Sequence, residues 1–152
     1  HEFLFSFVRN PWDRFVSTYY YLLQTEKIES FESFENFVRY FVMRDSQLLS
    51  PERPIDCYGI RNTNADLPND VLFNFEPQTY WINTEVDFIG RFENLQNDFD
   101  ALCDKLKLPH QALGHENKSN HKPYWEYYND ETEAIIGEKY AEDIEKFGYK
   151  FK

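Results

Sequence analysis

Two residues near the start of the chain, Arg9 and Ser17, have the types and spacing to hold an anion. A guanidinium brings a permanent positive charge and a fork of donors, and a serine hydroxyl adds another donor. Along a regular helix the steps between them would span roughly 12 Å at about 1.5 Å per residue. An arginine side chain lying along the helix covers much of that gap, so both groups can meet on one phosphate. The structural alternative is an Arg9 that ion-pairs at a sheet edge beside an ordinary helix-surface serine. A second polar cluster, Asn117, Lys118 and Ser119 followed by Lys122 and Tyr124, offers hydroxyl, ammonium and amide groups that suit phosphate and a ring face that suits a purine. Its alternative is a solvated basic loop on an acidic protein. His110, His115 and His121 match neither the i,i+4 spacing of a helical pair nor the compact pairs of zinc sites, and Cys103 has no second cysteine beside it. No metal site is expected.

These residues need elements to position them. Phe3, Phe5 and Phe7 alternate with Leu4, Ser6 and Val8, a nearly continuous apolar run that predicts a strand buried on both faces of a parallel sheet. Asn10 as cap, Pro11 at the first helical position and Asp13 in the first turn predict a helix immediately after Arg9. Such a junction is a binding edge, because ligands of open α/β sheets lie beyond the carboxyl ends of the strands, where the next helix offers free amides. Phe15, Tyr19 and Leu22, with Val16 and Leu23 beside them, form the stripe of that helix.

Further along, Glu26 to Ser33 supplies serine caps for a second helix carrying Phe34, Phe37, Val38, Phe41 and Val42. From Ser50 to Pro77 prolines, asparagines and aspartates predict a long connection of the kind that serves as a lid or binding loop. Gln78 to Thr84 regains aromatic and β-branched residues, and Val86 to Gly90 reads as a second buried strand. Leu95, Phe99, Leu102 and Leu106 then give a helix, so Gly90 to Asn94 is a second strand-to-helix junction, where Arg91 and Glu93 are expected to form an internal ion pair. His110 to Tyr128 reads as a loop. Asn129 or Asp130 caps a last helix with Ile135, Ile136, Tyr140, Ile144 and Phe147, ended by Gly148.

The 152 residues suffice for one domain, and 19% aromatic content supplies its core. The net charge of −11 disfavours a nucleic-acid partner, whose affinity comes from lysine and arginine neutralising phosphates, and weighs against a polyanionic acceptor. A few local cations can still hold a small anionic cofactor, since distant acidic charges are screened over about 10 Å. A small neutral partner fits this charge balance best. No stretch approaches the ~18 apolar residues of a membrane helix. Cys57 and Cys103 fit reduced thiols in a cytoplasmic protein, with the Golgi lumen as the alternative if a membrane anchor lies upstream.

The string RNPWDRFVSTY from Arg9 to Tyr19 resembles the 3′-phosphate-binding motif of the sulfotransferases that use 3′-phosphoadenosine 5′-phosphosulfate (PAPS). DFIGRFENLQNDFDALCDKLKL, Asp87 to Leu108, is similar to the corresponding strand and helix of the carbohydrate-type members. Asn117-Lys118-Ser119 with Lys122 resembles the late loop that closes over the adenosine and 3′-phosphate, and YAEDIEKFGYKF, Tyr140 to Phe151, resembles the C-terminal helix and strand end. The resemblance implies a three-layer α/β fold of P-loop-kinase type with a central parallel sheet, here helix-rich and incomplete at its N-terminus. It implies that Arg9 and Ser17 hold the 3′-phosphate, and that a sulfuryl group passes from PAPS to a hydroxyl of a carbohydrate or similar acceptor, without a metal. The family's first strand, its lysine-bearing phosphate loop and the following helix do not occur in residues 1–152. The chain is therefore expected to be the C-terminal part of such a domain, and no residue is assigned as general base. A non-catalytic nucleotide-binding or interaction module of the same fold is the alternative, and a nucleotide kinase relative is disfavoured by the same missing loop.

Overall fold

The apolar run at the start of the chain does form a strand, β1 (Phe5–Val8), and it pairs in parallel with β2 (Phe88–Arg91). Phe5 lies opposite Phe88 and Val8 opposite Arg91. The computed structural model describes residues 2–26, 33–48, 73–114 and 122–152. Parallel strands need a long crossover, and here it contains α1 (Pro11–Gln24), α2 (Phe34–Leu48) and the single turn α3 (Gln78–Trp81). After β2 come α4 (Leu95–Leu106), α5 (Asp130–Lys139) and α6 (Ala141–Phe147). This is a mixed α/β, helix-rich arrangement with a small parallel sheet, as expected.

The expected burial of β1 on both faces, and of β2 as a buried strand, is not observed. Phe5 is 50% exposed and Ile89 38%, whereas Val8 is 1% exposed. Each strand has a single neighbour among the described residues. β1 is buried only towards its carboxyl end, where Val8 packs with Ile82 and Phe147.

The main core lies between helices. Phe15 on α1 is buried at its centre, with the rings of Phe34, Phe37, Phe41, Phe75 and Tyr140 at centroid distances of 5.2–6.4 Å. Ser33 caps α2 by accepting from the Asn36 amide at 3.1 Å. Much of the predicted connection from Ser50 to Pro77 lies outside the described residues, but its last part is structured. Phe73–Phe75 forms a 3-10 turn that inserts Phe75 into the core, and the Tyr140 hydroxyl donates to the Phe75 carbonyl at 2.7 Å.

Gln78 to Trp81, within the stretch that regains aromatic and β-branched residues, is a helical turn. Its start is held by the buried Asp143, whose carboxylate accepts from the amides of Gln78 (2.8 Å) and Thr79 (2.9 Å). A carboxylate at a helix N-terminus satisfies amides that would otherwise be orphaned. The single last helix expected from the sequence is two. Asn129 opens α5 with a reciprocal cap to Thr132, and the chain breaks at Tyr140, where the buried ring is tied to Phe75. The break turns Asp143 of α6 towards α3. Gly148, at φ 71°, ends α6 as predicted.

Gly90 lies close beneath the Phe7 ring. A Cβ placed there would stand 2.3 Å from Cε1 of Phe7, its partner across the strands. Gly90→Ala must therefore displace the Phe7 ring, and it should cost about 1–3 kcal/mol in chemical denaturation, the usual range for an overpacked contact.

Candidate functional site

The site is built at the turn from β1 into α1. Arg9 has left the strand ladder and has not entered the helix, so its backbone needs partners from elsewhere. Gln78 supplies both: Arg9 N donates to Gln78 Oε1 at 2.8 Å, and Gln78 Nε2 donates to the Arg9 carbonyl at 2.8 Å. Asn10 N donates to Glu93 Oε1 at 2.5 Å. The Asn10 side chain accepts from Trp12 N at 3.0 Å as the predicted cap, and donates to the Lys150 carbonyl at 2.8 Å. Two of the amides expected to be free at this edge, Asn10 N and Trp12 N, are thus engaged by side chains. The Arg9 side chain adds a guanidinium to the same junction.

That side chain runs along α1. Arg9 Nε donates to Asp13 Oδ2 at 2.7 Å, and Nη1 donates to Ser17 Oγ at 3.2 Å. Its Cζ lies 4.1 Å from the centre of the Phe92 ring, which is 45% exposed. Cation–π contact of this kind is worth about 0.5–1 kcal/mol at exposed sites. Asp13 and Ser17 fall one and two turns along one helix face, so the guanidinium is held parallel to the helix axis. Among the described residues Nη2 and the second Nη1 hydrogen take no other partner, and they are available beside the Ser17 hydroxyl.

The model of the sulfotransferase family matches residues 1–150 of the chain. The chain belongs to the sulfotransferase family. No curated protein and no solved structure matches it.

The structure brings Arg9 and Ser17 into direct contact, across the gap estimated from the sequence. Lys122 is exposed, and its amide donates to Tyr127 Oη at 2.9 Å; the bonds of Arg9 and Ser17 given above do not include it. Asn117, Lys118 and Ser119 lie outside the described residues, as do His115, His121 and Cys57. Tyr124 packs edge-on against Phe151 and Trp125. Burial, with Asp13 and Glu93 nearby, pushes its hydroxyl above the ordinary range, and it donates to the Phe151 carbonyl. Arg91 and Glu93 do fix the second junction, but with different partners: Arg91 Nη2 donates to the Phe147 carbonyl at 2.7 Å, and Glu93 accepts from Asn10 N and from the Tyr149 hydroxyl at 2.9 Å.

Sequence reasoning missed three members of the site. Asp13 was legible from its i,i+4 spacing to Arg9 and was read only as a first-turn acid. Gln78 and Phe92 lie 69 and 83 positions from Arg9, and no local pattern marks either. Arg14, the other arginine of the motif, is structural: its Nη1 and Nη2 donate to the carbonyls of Glu76 (2.7 Å) and Asn74 (3.1 Å), and burial lowers its pKa, with Tyr140 and Asp143 opposing.

Among the described residues no group of three or more histidines, cysteines and carboxylates is placed to hold a metal, and no helix is long and apolar enough to cross a membrane. His110 Nε2 lies 2.7 Å from Asp104 Oδ1, and that hydrogen bond raises the imidazole pKa above its ordinary 6.5. A raised folded-state value means the pair's contribution is complete below pH 6.5 and is lost as pH rises through the shifted midpoint. An NMR titration should place the His110 midpoint above 6.5, and Asp104→Asn should bring it down.

Proposed function

We propose that this chain takes part in sulfuryl transfer from PAPS to a neutral hydroxyl, of a carbohydrate or similar acceptor, with Arg9 and Ser17 holding the 3′-phosphate of the donor. The observation that carries the reading is the Arg9–Ser17 contact at 3.2 Å, with donors of the guanidinium left over beside it. The residues present fit an anion. Asp13 fixes the guanidinium through Nε, which leaves the Nη groups for a phosphate, and the fork matches phosphate oxygens in charge and geometry. The exposed Phe92 ring, stacked on Arg9, gives the same site an apolar wall. When bound, PAPS supplies the activated sulfuryl group and a bisphosphate leaving group.

The residues described here bind and orient. Arg9 places positive charge at the phosphate, Ser17 donates to it, and Asn10 and Glu93 hold the turn on which Arg9 sits. Asn117, Lys118, Ser119 and Lys122 are assigned to the same cofactor by the likeness of their loop to the family's late loop. Glu93 is engaged by Asn10 and Tyr149 and is not offered as general base. The net charge of −11 supports a neutral acceptor over a polyanion.

Adenosine 3′,5′-bisphosphate should bind more tightly than AMP, which lacks the phosphate that Arg9 and Ser17 would hold; equal affinities in titration calorimetry would remove the assignment. Arg9→Ala should weaken the bisphosphate by about one to two powers of ten, the loss of a charge-assisted bond worth about 1.5–3 kcal/mol. The partly exposed Arg9–Asp13 pair contributes at most about 1 kcal/mol to stability. A large fall in Tm with unchanged affinity would make Arg9 structural.

A further inference from the structure

The bonds around Arg9 show how its position is set. Gln78 is buried, and its primary amide pairs with both the N–H and the carbonyl of one residue, each at 2.8 Å. That is the pattern a neighbouring strand would make, supplied by a side chain at the point where the β1 ladder has ended. Gln78 is itself held. Its backbone N donates to Asp143 Oδ2 at 2.8 Å, Nε2 approaches the same oxygen at 3.4 Å, and Thr79 N donates to Oδ1 at 2.9 Å. Asp143 is fully buried, on the helix that the break at Tyr140 turns towards α3.

We propose that Gln78, oriented by Asp143, is the positioning residue of the Arg9 anion site. The inference rests on the reading that Arg9 holds a phosphate. A guanidinium reaching two helical turns amplifies any tilt of its own Cα, and the Arg9–Ser17 bond at 3.2 Å has little slack before it is lost. Gln78 fixes both polar groups of the Arg9 backbone, so it sets the direction in which the side chain leaves. Asp143 fixes the rotamer of Gln78 by accepting from Nε2, which directs Oε1 to the Arg9 amide. Neither residue is within the described contacts of Ser17, Asp13 or Phe92, so their effect on a ligand has to pass through Arg9.

The test is a double-mutant cycle on the full-length protein, with adenosine 3′,5′-bisphosphate as the probe in titration calorimetry. Gln78→Met keeps the side-chain length and removes both hydrogen bonds. It should weaken binding by roughly three- to tenfold. The double variant with Arg9→Ala should bind no worse than Arg9→Ala alone, because a residue acting through Arg9 has nothing to position once the guanidinium is gone. Unchanged affinity in Gln78→Met, or losses that multiply in the double variant, would overturn the proposal. Unchanged affinity in Arg9→Ala would instead overturn the phosphate reading beneath it. Should Gln78→Met fail to fold, Gln78→Asn, too short to span both backbone groups, takes its place in the cycle under the same criteria.

Discussion

The turn between Val8 and Pro11 leaves backbone groups that neither a strand nor a helix can pair, and buried groups of that kind cost about 1–3 kcal/mol each when unsatisfied. Two distant segments satisfy them, and a third is bonded beside them. Gln78 takes the Arg9 N–H and carbonyl, Glu93 takes the Asn10 N–H, and the Asn10 side chain takes the Lys150 carbonyl. These bonds bring α3, the turn before α4 and the C-terminal residues to one edge of the sheet. The Arg9 side chain projects from the middle of it.

The helix that follows divides its work between two faces. Trp12, Phe15, Val16, Tyr19 and Leu22 are buried, and burying a side chain of that size contributes about 1.5–3 kcal/mol. The opposite face carries Asp13 and Ser17, whose polar contacts with Arg9 add little to stability. Because the aromatic face anchors α1, the polar face need not be optimal for folding. Asp13 illustrates this: it neutralises part of the charge that a ligand would use, yet it holds Nε and leaves the Nη edge of the guanidinium directed at Ser17. The overall excess of acidic residues does not prevent a local anion site, since the field near Arg9 is set by the groups within a few ångströms.

The two ends of the chain are joined through the same core. Tyr128 donates to the Trp12 carbonyl at 2.7 Å, and the Trp12 indole donates to the Glu133 carbonyl at 3.0 Å. Arg39 and Glu131 tie α2 to α5 at 2.7 Å on the exposed side. The kink at Tyr140 makes the geometry of the site depend on the core, because its hydroxyl fixes Phe75 while the turn it introduces delivers Asp143 to α3. A straight helix through Tyr140 would carry Asp143 elsewhere.

The sequence alone determined what depends on neighbours a few positions apart. The Asn10 cap, Pro11, the stripe of α1, the α2 stripe, the α4 stripe, the Asn129 cap and Gly148 as terminator all follow from local spacing, and so does the reach from Arg9 to Ser17 along one helix face. Tertiary structure decided the rest. That Gln78 begins a helical turn is fixed by a carboxylate 65 positions away, the last helix breaks where a buried tyrosine finds a carbonyl 65 positions back, and Glu93 abandons Arg91 for an amide 83 positions away. Two of the amides read as free at the junction are taken by side chains, and β1, read as doubly buried, is exposed at its amino end. Periodicity reports which side of an element is apolar; whether a polar backbone group is already taken, and by what, depends on which distant segments the core brings to it.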